Sequence, residues 1–169
     1  RVQLFLQLKL GFFQTYAPNA FISENKTSSD DRASFERLNA INKFLPPEAK
    51  PTIIDIGCNM GFFTFQIAKR GGFSIGIDYG RNEIMAAKGL ASRYSVSNVV
   101  FTQMEVTPEN SSLLPKVDMV ICLSIYHHWV RKLGEEESLR IMRGLAGSAR
   151  KYFVFDTGQP NEKDVEWNQ

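Results

Sequence analysis

The chain has 169 residues, with 20 Lys and Arg against 18 Asp and Glu and a formal net charge of +2. That length makes one domain, long enough to bury most of a single three-layer core, and leaves no room for a second full one. The near-even balance excludes a global electrostatic footprint for nucleic acid or membrane and leaves only local patches.

In chain order, residues 1 to 10 alternate apolar and polar side chains and are interrupted by Gln3, Gln7 and Lys9. The stretch is too short and too polar to span a bilayer, and it lacks the small-residue cleavage site of a signal peptide. It reads as a strand or helix that packs on the domain or on a partner, and a first residue of Arg rather than Met fits a piece of a longer protein. Residues 16 to 31 are polar and loop-like, and Ser28, Ser29, Asp30 and Asp31 offer helix caps. Phe35, Leu38, Ile41 and Leu45 then recur at helical spacing until Pro46 and Pro47 stop them.

Five apolar runs predict strands: Thr52 to Ile56, Phe73 to Asp78, Val99 to Met104, Val117 to Ile125 and Lys151 to Asp156. Helices are predicted from about Phe62 to Lys69, Asn82 to Tyr94 and Glu135 to Ala149. Glu135, Glu136 and Glu137 form the acid-rich first turn of the last helix, favoured by its dipole, and not a metal site. No metal constellation can be built elsewhere. Strands alternating with helices predict an α/β fold: a three-layer, doubly wound, mostly parallel sheet with helices on both faces. The expected division is an N-terminal extension over 1–31 and a core over 32–169. Cys58 lies in a glycine turn and Cys122 in an apolar run, so a thiol pair kept reduced in the cytoplasm is expected rather than a disulfide.

The chemistry concentrates in the turn after the first core strand, Ile53-Ile54-Asp55-Ile56-Gly57-Cys58-Asn59-Met60-Gly61. An apolar run, a small-residue turn, a helix, and a second run closing on Asp78 make a nucleotide-binding βαβ unit. Gly57 and Gly61 leave the backbone bare for a ligand, and Asn59 tolerates positive φ. A dinucleotide site wants glycine at the first, third and sixth turn positions, which here read Gly57, Asn59 and Phe62.

The spacing acidic-x-Gly-x-x-x-Gly, carried by Asp55, Gly57 and Gly61, resembles motif I of the class I S-adenosylmethionine (SAM) methyltransferases. That resemblance covers Phe35 to about Gln159. It implies a Rossmann-like methyltransferase core, from which the usual C-terminal antiparallel strand pair is missing. It implies SAM as the cofactor, with Asp55, Gly57, Cys58, Asn59, Gly61, Asp78, Met104, Glu105 and Leu123 as its binding residues. Asp55 would suit the positive charges of the methionine end, and the helix N-terminus its carboxylate. Asp78 would accept from both ribose hydroxyls. Glu105 would reach the adenine amino group while Met104 offers an apolar face.

Both histidines of the chain lie in Cys122-Leu-Ser-Ile-Tyr-His-His-Trp129, at the end of the fourth core strand. Ligands of open α/β sheets sit beyond such strand ends. His127 or His128 is the candidate general base, because imidazole titrates near neutral pH. Tyr126 and Trp129 are candidate walls of the acceptor pocket, with Arg81 as a further substrate contact. Arg32 and Phe35 could close over the methionine end. Neither the Asn/Asp-Pro-Pro-aromatic sequence of amino-methylating nucleic-acid enzymes nor the Pro-Cys nucleophile of cytosine enzymes occurs, which tilts the expectation toward an oxygen acceptor.

Leu123-Ser-Ile-Tyr-His-His128 also resembles the methyltransferase domain of bifunctional enzymes that terminate bacterial O-antigen chains. Cys122-Leu-Ser with Trp129, Gly134 and Gln159-Pro160 is similar to RNA 5′-phosphate methyltransferases. Both families imply a terminal phosphate as acceptor, for which Arg81, Arg131, Lys132 and the histidines are candidate contacts. The expected partner is thus a small-molecule, glycan or phosphorylated acceptor, or an RNA end. Two alternatives stay open: a non-catalytic SAM-binding or scaffolding module of a larger protein, and an NAD-dependent oxidoreductase lacking the third loop glycine.

Overall fold

The computed structural model describes residues 4–7 and 29–156. Among these described residues, six strands form one sheet: β1 (Leu4–Gln7), β2 (Thr52–Ile56), β3 (Phe73–Asp78), β4 (Val99–Gln103), β5 (Val117–Cys122) and β6 (Ala149–Phe155). Their spatial order is β1-β6-β5-β2-β3-β4, and every pairing is parallel. The helices are α1 (Ser29–Asn42), α2 (Phe62–Lys69), α3 (Arg81–Arg93), α4 (Tyr126–Leu133) and α5 (Glu135–Ser148), with a 3₁₀ turn at Ser111–Leu113. The chain steps outward from β2 to β3 and β4, then returns to β5 on the other side of β2. The strand ends therefore diverge between β2 and β5, where open α/β sheets bind ligands.

Side-chain alternation along the central strands builds two separate cores. Ile53, Met119, Ile121 and Val154 pack under α1 and α2 with Leu38, Ile41, Phe62, Phe63 and Ile67. Their sequence neighbours Ile54, Val120, Cys122 and Phe153 face the other way, onto Ile141 and Leu145 of α5 and Trp129 of α4. Strands covered on both faces have no solvent side, which is why they read as unbroken apolar runs. A third cluster joins α2 to α3 and β4 through Phe65, Ile84, Ala87 and Phe101.

The five core strands and three of the expected helices stand within two residues of their sequence positions, apart from the end of β5. That strand stops at Cys122 rather than Ile125, residues 123–125 belong to neither strand nor helix, and α4 begins at Tyr126. Ser124 is the reason. It adopts φ 57°, a left-handed conformation that no strand continues through. A sixth strand joins the five, as β1 lies parallel to β6 with Phe5 opposite Phe153. The first helix already includes Ser29, Asp30 and Asp31, which the sequence suggests as caps. Among the described residues, no helix is long and apolar enough to cross a membrane.

Candidate active site

The turn from β2 to α2 is held from within. Gly57 and Cys58 donate their N–H groups to the Ile77 carbonyl at 2.8 and 3.0 Å, and Gly61 donates to the Cys58 carbonyl at 2.8 Å. Asn59 N–H donates to Asp78 Oδ2 at 2.8 Å, and Met60 N–H to Asn59 Oδ1 at 2.7 Å. The turn's own donors are thus engaged with protein acceptors, and the bare-backbone expectation changes accordingly. So does the reason for its glycines. Gly57 and Gly61 have φ 68° and 89°; a Cβ on Gly57 would overlap Ile125, and one on Gly61 would come within 2.6 Å of Phe101. Protein, rather than ligand, fills the space beside both. Asn59 takes positive φ, at 50°, as its side chain permits.

Asp55 lies beneath this turn, 3% exposed. Its Oδ2 accepts from Thr64 N–H at 3.1 Å and Thr64 Oγ1 at 2.8 Å. Thr64 is the third residue of α2, whose first-turn N–H groups lack helical partners, and Gly61 has no side chain to cap them. The strand carboxyl supplies that cap. Burial raises its pKa to about 7, against the lowering pull of the two Thr64 bonds. Cys58 and Cys122 are free and buried, and burial raises both thiols above their ordinary range, which makes them poor nucleophiles.

A cavity of about 800 Å³ opens beyond the strand ends. Gly57 and Asn59 wall it from the turn after β2, Asp78 to Glu83 from the end of β3 and the start of α3, Met104 to Val106 from the segment after β4, and Ser124, Ile125, His128, Trp129 and Lys132 from the segment after β5 and α4. The structure therefore brings together Gly57, Asn59, Asp78, Arg81, Met104, Glu105, His128, Trp129 and Lys132 from among the sequence candidates. Asp55, Cys58, Gly61, Leu123, Tyr126, His127 and Arg131 lie outside this lining. Phe35 packs edge-on against Phe62, ring centroids 5.3 Å apart. The Arg32 side chain and Gln159-Pro160 lie outside the described residues.

Two features of the lining, at Tyr79 and Ser124, had no clear sequence signal, and Lys132 was a sequence candidate only as a phosphate contact. Tyr79, after Asp78, leaves 77% of its surface exposed at the rim. Lys132 on α4 reaches Glu105 at 2.5 Å, bridging two walls, although the solvated pair adds little stability. Finally, Ser124 donates both its N–H and, at 3.2 Å, its hydroxyl to Asp156 Oδ1. Asp156 also pairs with Arg37 at 3.1 Å, both side chains being buried. A non-glycine residue in this backbone region costs about 1–3 kcal/mol and persists only where its surroundings over-determine it. Burial raises the Asp156 carboxyl, and Arg37 and Ser124 oppose that rise.

His128 and His127 stack obliquely with centroids 4.1 Å apart. Burial, and then the Arg131 charge, lowers the His128 pKa from 6.5. At neutral pH the cavity imidazole is therefore uncharged and able to take a proton. Burial, followed by Glu135, raises the Tyr126 phenol, which keeps it protonated.

These residues fit an adenosine-bearing cofactor. Asp78 is half-buried at the cavity wall, each oxygen holding one backbone N–H, from Asn59 and Gly80. A carboxylate has about four acceptor sites, so capacity for ribose hydroxyls remains. Ile77, Met104, Val106 and Tyr79 supply apolar and aromatic surface for a base, and the volume lies within the ~300–1,000 Å³ of small-molecule sites.

A parallel sheet with this site at its switch point, closed by an acid at the end of β3, defines the chain as a class I SAM-dependent methyltransferase domain. A family model described as a methyltransferase domain matches residues 47–143, and the chain belongs to that family; SAM is its cofactor. The chain is 30% identical over 95 residues to the O-antigen chain terminator bifunctional methyltransferase/kinase WbdD of Escherichia coli, covering 56% of this chain and 13% of that protein. It is 28% identical over 92 residues to the ubiquinone biosynthesis O-methyltransferase of Acinetobacter baylyi, covering 54% and 39% respectively. The chain thus spans well under half the length of these curated relatives. The crystal structure of monomeric WbdD superposes with a TM-score of 0.64 at 25% identity, covering 70% of this chain and 30% of that one.

Proposed function

We propose that this domain transfers the methyl group of SAM to an oxygen atom, a hydroxyl or a phosphate, of a small molecule, glycan or RNA end. The observation that carries this reading is His128. It is an imidazole lining the same cavity as Asp78 and is kept neutral by its surroundings. Bound there, SAM supplies an electrophilic methyl group on a positively charged sulfur.

The chain's own residues supply the rest. Asp78 would accept from the ribose, and Met104 and Tyr79 would offer surface to the base. Trp129, 9% exposed, walls the acceptor side and excludes water. His128 takes the proton of a hydroxyl acceptor as the oxygen–methyl bond forms and the methyl–sulfur bond breaks, whereas a phosphate oxygen needs no base. Arg81 at the wall is the cation available to an anionic acceptor. Much of the acceleration in such a displacement comes from holding the reactants in line, a task for rigid walls rather than for covalent chemistry.

The relatives' activities, an O-antigen chain terminator and an O-methyltransferase, support an oxygen acceptor. The test is methyl transfer from isotope-labelled SAM to a panel of phosphorylated glycans, RNA 5′ ends, phenols and amines. Label in an oxygen ester or ether, lost in His128→Gln only for hydroxyl acceptors, is expected. Label confined to amines would overturn the oxygen assignment.

A further inference from the structure

We propose that Asp156 is a positioning residue of this site: through Ser124 it fixes the start of α4 and so holds His128 at the cavity wall. The proposal rests on the methyl-transfer reading above for its functional meaning and on the following geometry for its mechanism.

Asp156 follows β6 directly, one residue past the Phe155 that pairs with Cys122. From there its carboxylate reaches across to the segment leaving β5. One oxygen accepts both the N–H and the hydroxyl of Ser124; the other faces the Arg37 guanidinium from α1 at 3.1 Å. Ser124 is thereby held at φ 57°, a conformation a serine rarely adopts on its own. The consequence falls on Ile125. Its side chain occupies the space beside Gly57, and its carbonyl accepts the N–H groups of His128 at 2.9 Å and Trp129 at 3.3 Å, which start α4. The chain of contacts runs from Arg37 to Asp156, to Ser124, to Ile125, and from there both to the β2 turn and to the imidazole in the cavity.

Buried ion pairs contribute little net stability, and stranding one member is costly, so the test removes both charges together. In an Arg37→Met background, Asp156→Asn keeps an oxygen that can accept from Ser124, whereas Asp156→Ala does not. Adding Ser124→Gly to the latter gives a residue that enters positive φ without help.

Hydrogen exchange of the ligand-free protein reads the backbone, and titration with S-adenosylhomocysteine reads the site. R37M/D156A is expected to lose exchange protection over residues 124–129 and to bind S-adenosylhomocysteine at least tenfold more weakly. R37M/D156N should retain both properties, and R37M/D156A/S124G should recover at least threefold of the affinity without recovering the melting temperature. Unchanged protection and affinity in a folded R37M/D156A would overturn the proposal, as would equal losses in the Asn and Ala variants. If the wild type itself binds no S-adenosylhomocysteine, the cofactor reading fails, and the exchange comparison still decides whether Asp156 positions α4.

Discussion

Asp78, Asp55 and His128 show how differently three polar groups can serve one cleft. Asp78 stays at the cavity wall because its oxygens each hold one N–H donor and keep room for more. Asp55 is turned inward to cap α2 through Thr64. Motif spacing alone would place both at the ligand, since it records residue type and not which donor claims the carboxyl. His128 lines the cavity whereas His127 does not, a choice that two adjacent histidines on a helix leave open until the helix phase is known. If His128 is the base, the rate with a hydroxyl acceptor should be flat above neutral pH. It should fall on acidification with a midpoint below the free-imidazole value of 6.5, because burial and Arg131 lower its pKa. His128→Gln should cost about 10²–10⁴-fold in kcat and abolish that acid limb. A pH–rate profile of both proteins checks this, and an unchanged limb in the variant would assign it to another group.

At the scale of elements, the turn between β2 and α2 is built by packing against its neighbours. Gly57 combines φ 68° with a flank filled by Ile125, so Gly57→Ala meets backbone strain and a steric collision together. Urea unfolding should show a loss of about 1–3 kcal/mol or more from the strained backbone alone. Ile125→Ala in the same chain should recover only the steric part. Helix α2 was legible to the residue, Phe62–Lys69, because Gly61 and the Gly71-Gly72 pair bound an apolar run locally. Helix α4 was hidden for the opposite reason. Val117 to Ile125 reads as one apolar strand, and its break at Ser124 depends on Asp156, a residue beyond another strand that no local pattern reveals. The Arg37–Asp156 pair was equally invisible, since neither partner has a motif around it.

For the whole molecule, the balance of buried acids sets how stability varies with pH. The folded pKa of Asp55, about 7, lies above its ordinary 3.8, so the folded state binds the extra proton between those values. Stability must then fall as pH rises through that window. Asp156 shifts in the same direction. His128 and Asp118, with lowered values, act oppositely and lose stability as pH falls. Asp55→Asn isolates one contribution: it should gain on the wild type by up to about 4 kcal/mol between pH 4 and pH 8, since each tenfold change in proton affinity is worth about 1.4 kcal/mol. Chemical denaturation at several pH values measures the difference, and a constant gap would contradict a neutralised Asp55. The doubly covered parallel sheet was legible because alternating apolar runs and helices report it directly. The β1 pairing at the β6 edge was not, because a short alternating segment does not name its partner strand.

On this reading the cavity at the β2/β5 switch binds SAM through Asp78. Isothermal titration with SAM and S-adenosylhomocysteine, with NAD as control, on the wild type and Asp78→Ala tests it most directly. Both adenosyl ligands should bind the wild type in the micromolar range and NAD should not, and the variant should lose more than tenfold in affinity, about 1.4 kcal/mol. A folded wild type that binds neither ligand, or an Asp78→Ala protein that binds them as well as the wild type, would contradict it.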